Sequence, residues 1–388
     1  MLEIAQILFS KESTMINTHL CLVSSQPIPN LVPVFEPDQT PQQVVLLSSD
    51  QMKPYAVWLQ QVLQQRQIKS EVWSIPDAYD CDHIKARIET LLKRQDLGNI
   101  ALNVTAGTKI MSLAAYEVFR AHGLPIFYVH PQKDLLIPLL PAGSAREIPD
   151  KLRLEEFFQV HGYKVMSLRR QTVARDRQQL GEYLVKNVGI YSSALGTLNY
   201  LAATAEDRST LQSDRIVARN WNVDGFKSLV DLLVDGGLLR VEADCFTFAS
   251  EEDRFFVNGG WLEEYLFSRI DRLRNRFKIQ DSAMSVQVES STGTKNEIDV
   301  AILHNNRLFL IECKTRRFRG QHSAGSKALY RMDSLKIMGG ITAQAMLASY
   351  RRLTASHHRR AEDLKIDLIV GAELLNIEQR LEDWLLNS

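Results

Sequence analysis

Residues Glu297–Lys314 read EIDVAILHNNRLFLIECK, and this stretch decides the fold of the last third of the chain. Two apolar runs flank Asn305-Asn306, and asparagine tolerates the positive φ that a two-residue hairpin turn requires. The pattern therefore predicts two antiparallel strands in which His304 lies opposite Arg307.

The predicted register groups three charged side chains on one face of the hairpin. Counting outward from the turn places Asp299 opposite Glu312, with Cβ atoms about 4.5–5.5 Å apart, and Lys314 on the same face. Facing carboxylates repel unless a proton or cation lies between them, and hard Mg²⁺ or Mn²⁺ prefers oxygen ligands. We therefore expect a divalent cation at Asp299 and Glu312. Lys314 would hold or activate a water molecule, or neutralise charge developing on a phosphate.

The alternative is a solvent-exposed edge hairpin whose charges form salt bridges, with Glu297 opposite Lys314. Apolar side chains on both faces argue instead for a buried, central hairpin.

A helix starting near Trp261 adds a third acid, because Glu263 falls at the edge of its apolar stripe, whereas Glu264 is expected on the solvent side. A buried acid needs a partner, but the helix dipole alone also favours an acid in a first turn.

These residues resemble the motif of the PD-(D/E)xK nucleases, the restriction-endonuclease-like fold. Asp299 matches the motif aspartate, Glu312-Cys313-Lys314 matches E-x-K, and Glu263, within Gly259–Glu263, matches the acid of the first core helix. The resemblance covers residues 258–388. It implies a nuclease domain in which Asp299, Glu312 and Glu263 bind the metal and Lys314 assists hydrolysis, so that all four are catalytic.

Basic residues follow the motif and are either phosphate contacts or solvated charge. They are Arg316, Arg317, Arg319 and the run His357-His358-Arg359-Arg360.

The first part of the chain, residues 16–150, alternates strand and helix patterns. Strands are expected at Thr18–Ser24, Val44–Ser48, Ser70–Ile75, Ile100–Val104 and Ile126–His130, and helices at Gln51–Gln65, His83–Arg94 and Thr108–Ala121. This rhythm predicts an α/β, Rossmann-like domain with a parallel sheet, and ligands bind such sheets beyond the carboxyl ends of the strands. Pro138, Pro141, Gly143 and Pro149 mark its expected end.

Three strands of this domain end in polar loops on the same predicted edge. The candidate ligand-binding residues are Ser25, Gln26, Ser49, Asn103, Thr105, Gly107, Thr108 and Lys109. The turn Asn103–Lys109 places hydroxyls, a glycine, a lysine and free backbone N–H groups at a helix N-terminus, which suits an anionic phosphate. For a single such turn, helix capping is the simpler explanation, and the convergence of three loops favours a ligand.

The Asn103–Lys109 turn is similar to the T-G-G-T-K region of CARF domains, the sensors of type III CRISPR defence, with Ala106 where that pattern often has glycine. Together with the nuclease motif, residues 16–388 resemble the CARF nucleases. The resemblance implies a homodimer that binds a cyclic oligoadenylate, typically cyclic tetra-adenylate, and then cleaves DNA, RNA or both with a divalent metal. A symmetric ring suits a two-fold axis between subunits.

The middle segment, residues 151–257, has mostly helical patterns, at Gly181–Lys186, Ala194–Ala203 and Gly225–Val234. A short hairpin is expected at Leu238–Val241 and Cys245–Phe248. Helices followed by a hairpin suggest a winged helix-turn-helix module, and a plain helical spacer is the alternative.

Composition sets broad limits on the class of protein. The 388 residues carry no net charge, so any nucleic-acid-binding surface must be local. Four scattered cysteines without a C-x-x-C pair argue against a zinc site or a disulfide framework, and they fit a reducing cytoplasm. No apolar run reaches the ~18 residues of a membrane span. Residues 1–14 precede the first strand pattern and are expected to be a dispensable extension or the result of an upstream start.

Two other functions fit parts of this pattern. A CARF domain joined to a winged helix resembles ligand-responsive transcription regulators, but such a regulator has no use for the acid–acid–lysine face. A repair or restriction nuclease without a second messenger would keep the catalytic residues and give the first domain another role.

Overall fold

A computed structural model describes residues 16–36, 40–315 and 324–387 of the chain. The chain divides into two compact units. The first consists of Met1–Val165, Glu289–Thr294 and Gly339–Thr342, and the second of Met166–Val288, Lys295–Met338 and Ala343–Ser388. Residues 1–14 and the arginines at 316, 317 and 319 lie outside the described residues.

Strands and helices alternate through most of the first unit. In chain order they are β1 (Thr18–Leu22), α1 (Ile28–Leu31), β2 (Gln43–Ser49), α2 (Lys53–Gln65), β3 (Lys69–Ile75), α3 (Cys81–Leu92), β4 (Ile100–Asn103), α4 (Lys109–Ala121), β5 (Ile126–His130), β6 (Leu135–Leu140), β7 (Arg146–Glu147) and α5 (Leu154–Val160). Strand β8 (Tyr163–Arg169) follows, and its residues from Met166 onward belong to the second unit, whose sheet contains this strand. The strands and helices predicted for this region are confirmed, with ends that differ by a few residues.

The first unit contains a seven-stranded sheet in the order β3-β2-β1-β4-β5-β6-β7. The strands from β3 to β5 run parallel, and β6 and β7 add antiparallel strands at one edge. Residues Val44–Leu47 of β2 are all 0% exposed, as expected for a strand covered on both faces. The order reverses between β1 and β4, so the loops after these two strands flank the switch point where such sheets bind ligands.

The first unit continues beyond the prolines and glycine at 138–149. Pro138 lies inside β6, which pairs antiparallel with β5, and β7 follows at the sheet edge. Helix α5 then packs on α2, where Arg66 forms a bidentate ion pair with Glu156 at 2.5 and 2.7 Å.

The second unit begins with helices and a hairpin and continues into a second sheet. In chain order its elements are α6 (Arg175–Lys186), α7 (Val188–Asp207), α8 (Ala218–Trp221), α9 (Phe226–Asp235), β9 (Leu239–Glu242), β10 (Cys245–Phe248), α10 (Glu251–Phe255), α11 (Trp261–Leu273), β11 (Asp281–Ser290), β12 (Lys295–His304), β13 (Arg307–Lys314), α12 (Ala324–Ile337), β14 (Gln344–Ser349), α13 (Ala355–Asp363), β15 (Asp367–Val370) and α14 (Ile377–Asn387). The predicted helices followed by a hairpin are confirmed. One continuous apolar core joins α6, α7, α9 and the β9–β10 hairpin to α11, β12, β13 and α14.

The second sheet has six strands in the order β15-β14-β13-β12-β11-β8. The predicted hairpin is confirmed, because His304 pairs with Arg307 and both turn residues have positive φ, 48° at Asn305 and 53° at Asn306. Strand β14, a buried strand parallel to β13, was not predicted from the sequence. Its sequence QAMLAS is rich in helix-forming residues, and burial between β13 and β15 overrides that preference.

Within the described ranges, no helix combines the length and apolar character needed to cross a bilayer.

Candidate functional site

The β12–β13 hairpin places the predicted acids at its buried centre. The register that pairs Val300 with Ile311 makes Asp299 and Glu312 the next opposed positions. Asp299 is 8% exposed and Glu312 is 1% exposed, so the solvent-exposed alternative is wrong. The backbone N–H of Cys313 donates to Asp299 Oδ2 at 2.6 Å and fixes the orientation of that carboxylate.

Lys314 points along the same face of the hairpin and completes an acid–acid–lysine cluster. Its Nζ lies 2.5 Å from Glu312 Oε1 and 3.9 Å from Asp299 Oδ2. The salt-bridge partners of Lys314 are therefore the two proposed metal ligands.

The electrostatics of the cluster show an excess of negative charge. Burial and the neighbouring Glu312 charge raise the pKa of Asp299 to about 7, although Lys314 partly offsets them. Burial and the Asp299 charge also raise the pKa of Glu263 well above its usual value. Burial alone would lower the pKa of Lys314, but the carboxylates of Glu312 and Asp299 outweigh it and raise this pKa. The lysine therefore stays protonated, and the acids compete for positive charge.

Glu263 and Glu264 open helix α11 and point to different partners. Glu263 is partly buried, and the charges of Asp299, Glu297, Lys314 and Glu312 act on it. The expectation that Glu264 faces solvent is wrong, because it is 3% exposed and accepts a 2.8 Å hydrogen bond from Arg177 of α6. Helix α6 covers that side of α11, and a helical wheel of α11 alone does not show it.

The glycines before Trp261 allow the backbone path by which the chain enters helix α11. Phe256–Gly260 forms a π-helical turn in which Gly259 has φ 114°. A Cβ at Gly259 would collide with the hydroxyl of Thr315, and one at Gly260 would collide with the ring of Phe255. Thr315 directly follows Lys314, so this turn lies against the end of β13.

The donor set at this site fits a divalent metal through two carboxylates. Among the described residues, no group of three His, Cys, Asp or Glu side chains is already gathered closely enough to hold a metal ion. Glu312 Oε2 is buried and has no hydrogen-bond partner, whereas Oε1 forms salt bridges with Lys314 and Arg331. Mg²⁺ is commonly held by one or two carboxylates together with water and substrate phosphates, so Asp299 and Glu312 suffice. Ligation by Glu263 stays a prediction.

Sequence reasoning missed Arg331 of α12. Its Nη1 lies 2.6 Å from Glu312 Oε1, and its Nη2 donates to the backbone carbonyl of Glu297 at 2.6 Å. No motif marks this arginine, because the packing of α12 on the sheet decides which of its residues reaches the hairpin.

In the first unit, three of the predicted ligand residues are held by internal hydrogen bonds. Asn103 is 0% exposed, donates to Pro29 O at 2.7 Å and accepts from Thr105 Oγ1 at 2.6 Å. Thr105 Oγ1 also accepts from the N–H of Val129. Thr108 caps α4 by accepting from the N–H of Met111 at 3.1 Å, so the capping role is confirmed at this residue.

The remaining candidates lie around that ordered turn. Ser25 and Lys109 are exposed, and Gly107 has φ 78°, a left-handed conformation that glycine adopts without strain. Ser49 is 8% exposed at the end of β2. Gln26 Oε1 accepts from the N–H of Ile341 at 3.2 Å, within the same unit. Lys109 is therefore an exposed cation at the N-terminus of α4. This N-terminus follows β4 and lies at one end of the crevice expected at the switch point.

Known structures share this fold over nearly the whole chain. Protein VC1899 from Vibrio cholerae superposes with a TM-score of 0.86 at 28% sequence identity, covering 95% of this chain and 98% of that one. Can2 from Sulfobacillus thermosulfidooxidans, in complex with cyclic tetra-adenylate, superposes with a TM-score of 0.79 at 25% identity, covering 95% and 99%. A type III CRISPR defence DNA nuclease activated by cyclic oligoadenylate shares the fold at 18% identity, with a TM-score of 0.56 over 91% of this chain and 50% of that one. No protein of curated function matches this sequence.

Two family models match the two ends of the chain, and they confirm both resemblances drawn from the sequence. Residues 18–157 match the Card1 CARF domain, and residues 250–388 match the Card1-like endonuclease domain. The chain therefore combines a CARF domain of the Card1 type at residues 18–157 with a Card1-like endonuclease domain at residues 250–388.

Proposed function

We propose that this protein is a divalent-metal-dependent endonuclease that hydrolyses phosphodiester bonds of DNA, RNA or both. The buried cluster of Asp299, Glu312 and Lys314 carries this proposal. It combines two opposed carboxylates with a protonated lysine inside the Card1-like endonuclease domain. A transcription regulator would not need this cluster.

The residues of the cluster have distinct roles in hydrolysis. Asp299 and Glu312 would hold Mg²⁺ or Mn²⁺, with Glu263 as a further acid beside them. When bound, the cation supplies Lewis acidity and charge neutralisation at the phosphate. Lys314 is positively charged because its pKa is raised, so it stabilises the charge that develops on the phosphate rather than removing a proton from water.

The N-terminal domain is the sensor in this proposal. Can2, which is 25% identical over 95% of this chain, is known in complex with cyclic tetra-adenylate. The corresponding ligand here is a cyclic oligoadenylate bound beyond the carboxyl ends of β1 and β4, with its phosphates near Lys109 and the N–H groups of α4. Two subunits would share the ring across a two-fold axis, as a homodimer in type III CRISPR defence.

The test incubates the protein with supercoiled plasmid, single-stranded DNA and RNA in Mn²⁺, with and without cyclic tetra-adenylate. Glu312→Gln is the matched control, because it keeps the side-chain volume and removes the buried charge. We expect activator-dependent cleavage by the parent and none by Glu312→Gln. Cleavage that Glu312→Gln retains would show that the active site lies elsewhere. Cleavage by the parent at the same rate with and without cyclic tetra-adenylate would favour an unregulated repair or restriction nuclease.

A further inference from the structure

Arg331 contacts the active site from a helix outside the nuclease motif. It lies on α12, and its guanidinium bridges two neighbouring strands, reaching Glu312 on β13 and the backbone carbonyl of Glu297 on β12, each at 2.6 Å. We infer that Arg331 is a positioning residue that holds Glu312 in its catalytic orientation and opposes the incoming metal cation. The inference rests on the proposed metal-dependent cleavage.

The geometry requires an arginine rather than any cation. Nη1 and Nη2 donate to acceptors on two strands at once, which suits a planar guanidinium and not a single ammonium. Arg331 therefore ties α12, β12 and β13 together at the carboxylate of Glu312. The side chain of Glu312 is 1% exposed, so little water reaches its carboxylate to replace the contact with Arg331 Nη1.

The two carboxylate oxygens of Glu312 have different surroundings, and the difference indicates how Arg331 affects metal binding. Arg331 and Lys314 both bind Oε1, at 2.6 and 2.5 Å, and leave Oε2 without a partner. Arg331 thus orients the carboxylate so that one oxygen remains for a further cation. Its own positive charge, on a side chain that is 41% exposed, repels that cation only weakly because solvent screens it.

Replacing Arg331 by a neutral residue has two opposite effects. It strengthens metal binding because a positive charge is lost, and it slows cleavage because Glu312 is no longer held in place. Losing the charge favours metal binding by about two- to fivefold, the range of a half-exposed ion pair. Losing the fixed orientation of Glu312 lowers cleavage by roughly 10- to 100-fold, as for other residues that orient a metal ligand. A merely structural role would instead weaken metal binding and cleavage together.

The experiment compares Arg331→Gln, Arg331→Lys and the parent by Ca²⁺ and Mn²⁺ calorimetry, melting temperature and activated cleavage. We expect Arg331→Gln to bind Ca²⁺ as tightly as the parent or tighter, yet to cleave at least about tenfold more slowly. Arg331→Lys keeps the charge but not the two-strand bridge, so we expect parental metal affinity with reduced cleavage. Lys336→Gln is the control on the same helix, since its ammonium bonds the backbone carbonyls of Leu364 and Lys365.

Two outcomes would overturn the inference. One is cleavage by Arg331→Gln at the parental rate, and the other is a loss of metal affinity in that variant, whatever its melting temperature. Failure of the parent itself to cleave would count against the proposed nuclease function and not against the role of Arg331 in particular.

Discussion

At the scale of single residues, the proposed active site has more buried negative charge than its cations neutralise. The carboxylates of Asp299, Glu312 and Glu263 act on one another, and Lys314 and Arg331 offset them only in part. The register of the hairpin could be worked out from Asn305-Asn306, because side chains alternate along strands and a two-residue turn fixes the pairing. Arg331 could not be found in this way, since the sequence of α12 does not determine which face of that helix packs on the sheet.

The first prediction at this scale concerns Lys314. We expect Lys314→Met to lower turnover by roughly 100-fold, because it removes a charged donor beside the developing negative charge. Metal affinity should not fall, since an ammonium has no lone pair for a cation. Titration of Mn²⁺ against cleavage separates the two effects, with Lys295→Met, an exposed lysine on the same strand pair, as control. Full recovery of the rate at high Mn²⁺ would leave Lys314 only an indirect role.

The second prediction follows from the raised pKa of Asp299. Burial and the Glu312 charge raise this pKa to about 7, whereas an aspartate in an unfolded chain titrates near ~3.9. Between these values the folded state binds more protons than the unfolded state, so the stabilisation from protonated Asp299 is lost as pH rises. The melting temperature of the metal-free protein should therefore fall more steeply between pH 5 and pH 7.5 in the parent than in Asp299→Asn. Parallel curves for the two proteins would contradict this expectation.

At the scale of elements, turns and amphipathic patterns were predictable where local chemistry determines them. The Asn305-Asn306 hairpin and the strands of the first sheet follow from turn residues and apolar runs. Strand β14 did not follow, because Gln344–Ser349 has the composition of a helix and becomes a strand only by pairing with β13 and β15. The burial of Glu264 likewise depends on α6, which lies far away in sequence.

The prediction at this scale concerns the π-helical turn before α11. Gly259 has φ 114°, and a Cβ there would also meet the Thr315 hydroxyl. We expect Gly259→Ala to destabilise the protein by at least about 1–3 kcal/mol and to slow cleavage, because Thr315 adjoins Lys314. The matched control is Gly293→Ala, at φ 85° in a turn where a Cβ meets nothing within 4 Å. Equal losses of melting temperature in the two variants would mean that strain in φ alone, and not the contact with Thr315, accounts for the effect.

At the scale of the whole molecule, activation requires a coupling free energy between the sensor and the nuclease. A cyclic oligoadenylate can shift the nuclease toward its active state only by binding that state more tightly than the inactive one. A residue that contacts only the ligand in both states therefore changes the concentration of activator required and leaves the maximal rate unchanged. Lys109, exposed at the N-terminus of α4, is the candidate for such a residue.

We expect Lys109→Ala to weaken the affinity for cyclic tetra-adenylate by roughly ten- to a hundredfold, because each charge-assisted contact contributes about 1.5–3 kcal/mol. A shared dimeric site would lose two such contacts, so the effect could be larger. Folding should be unaffected, since the side chain is exposed. Arg120→Ala is the control, because it removes an exposed cation from the other end of the same helix.

Calorimetry gives the affinity, and activation curves give the concentration for half-maximal cleavage and the rate at saturation. A variant that binds and responds like the parent would place the ligand phosphates away from this turn. A variant with normal affinity but a lower saturated rate would instead make Lys109 part of the coupling itself, because its contact would then differ between the two states.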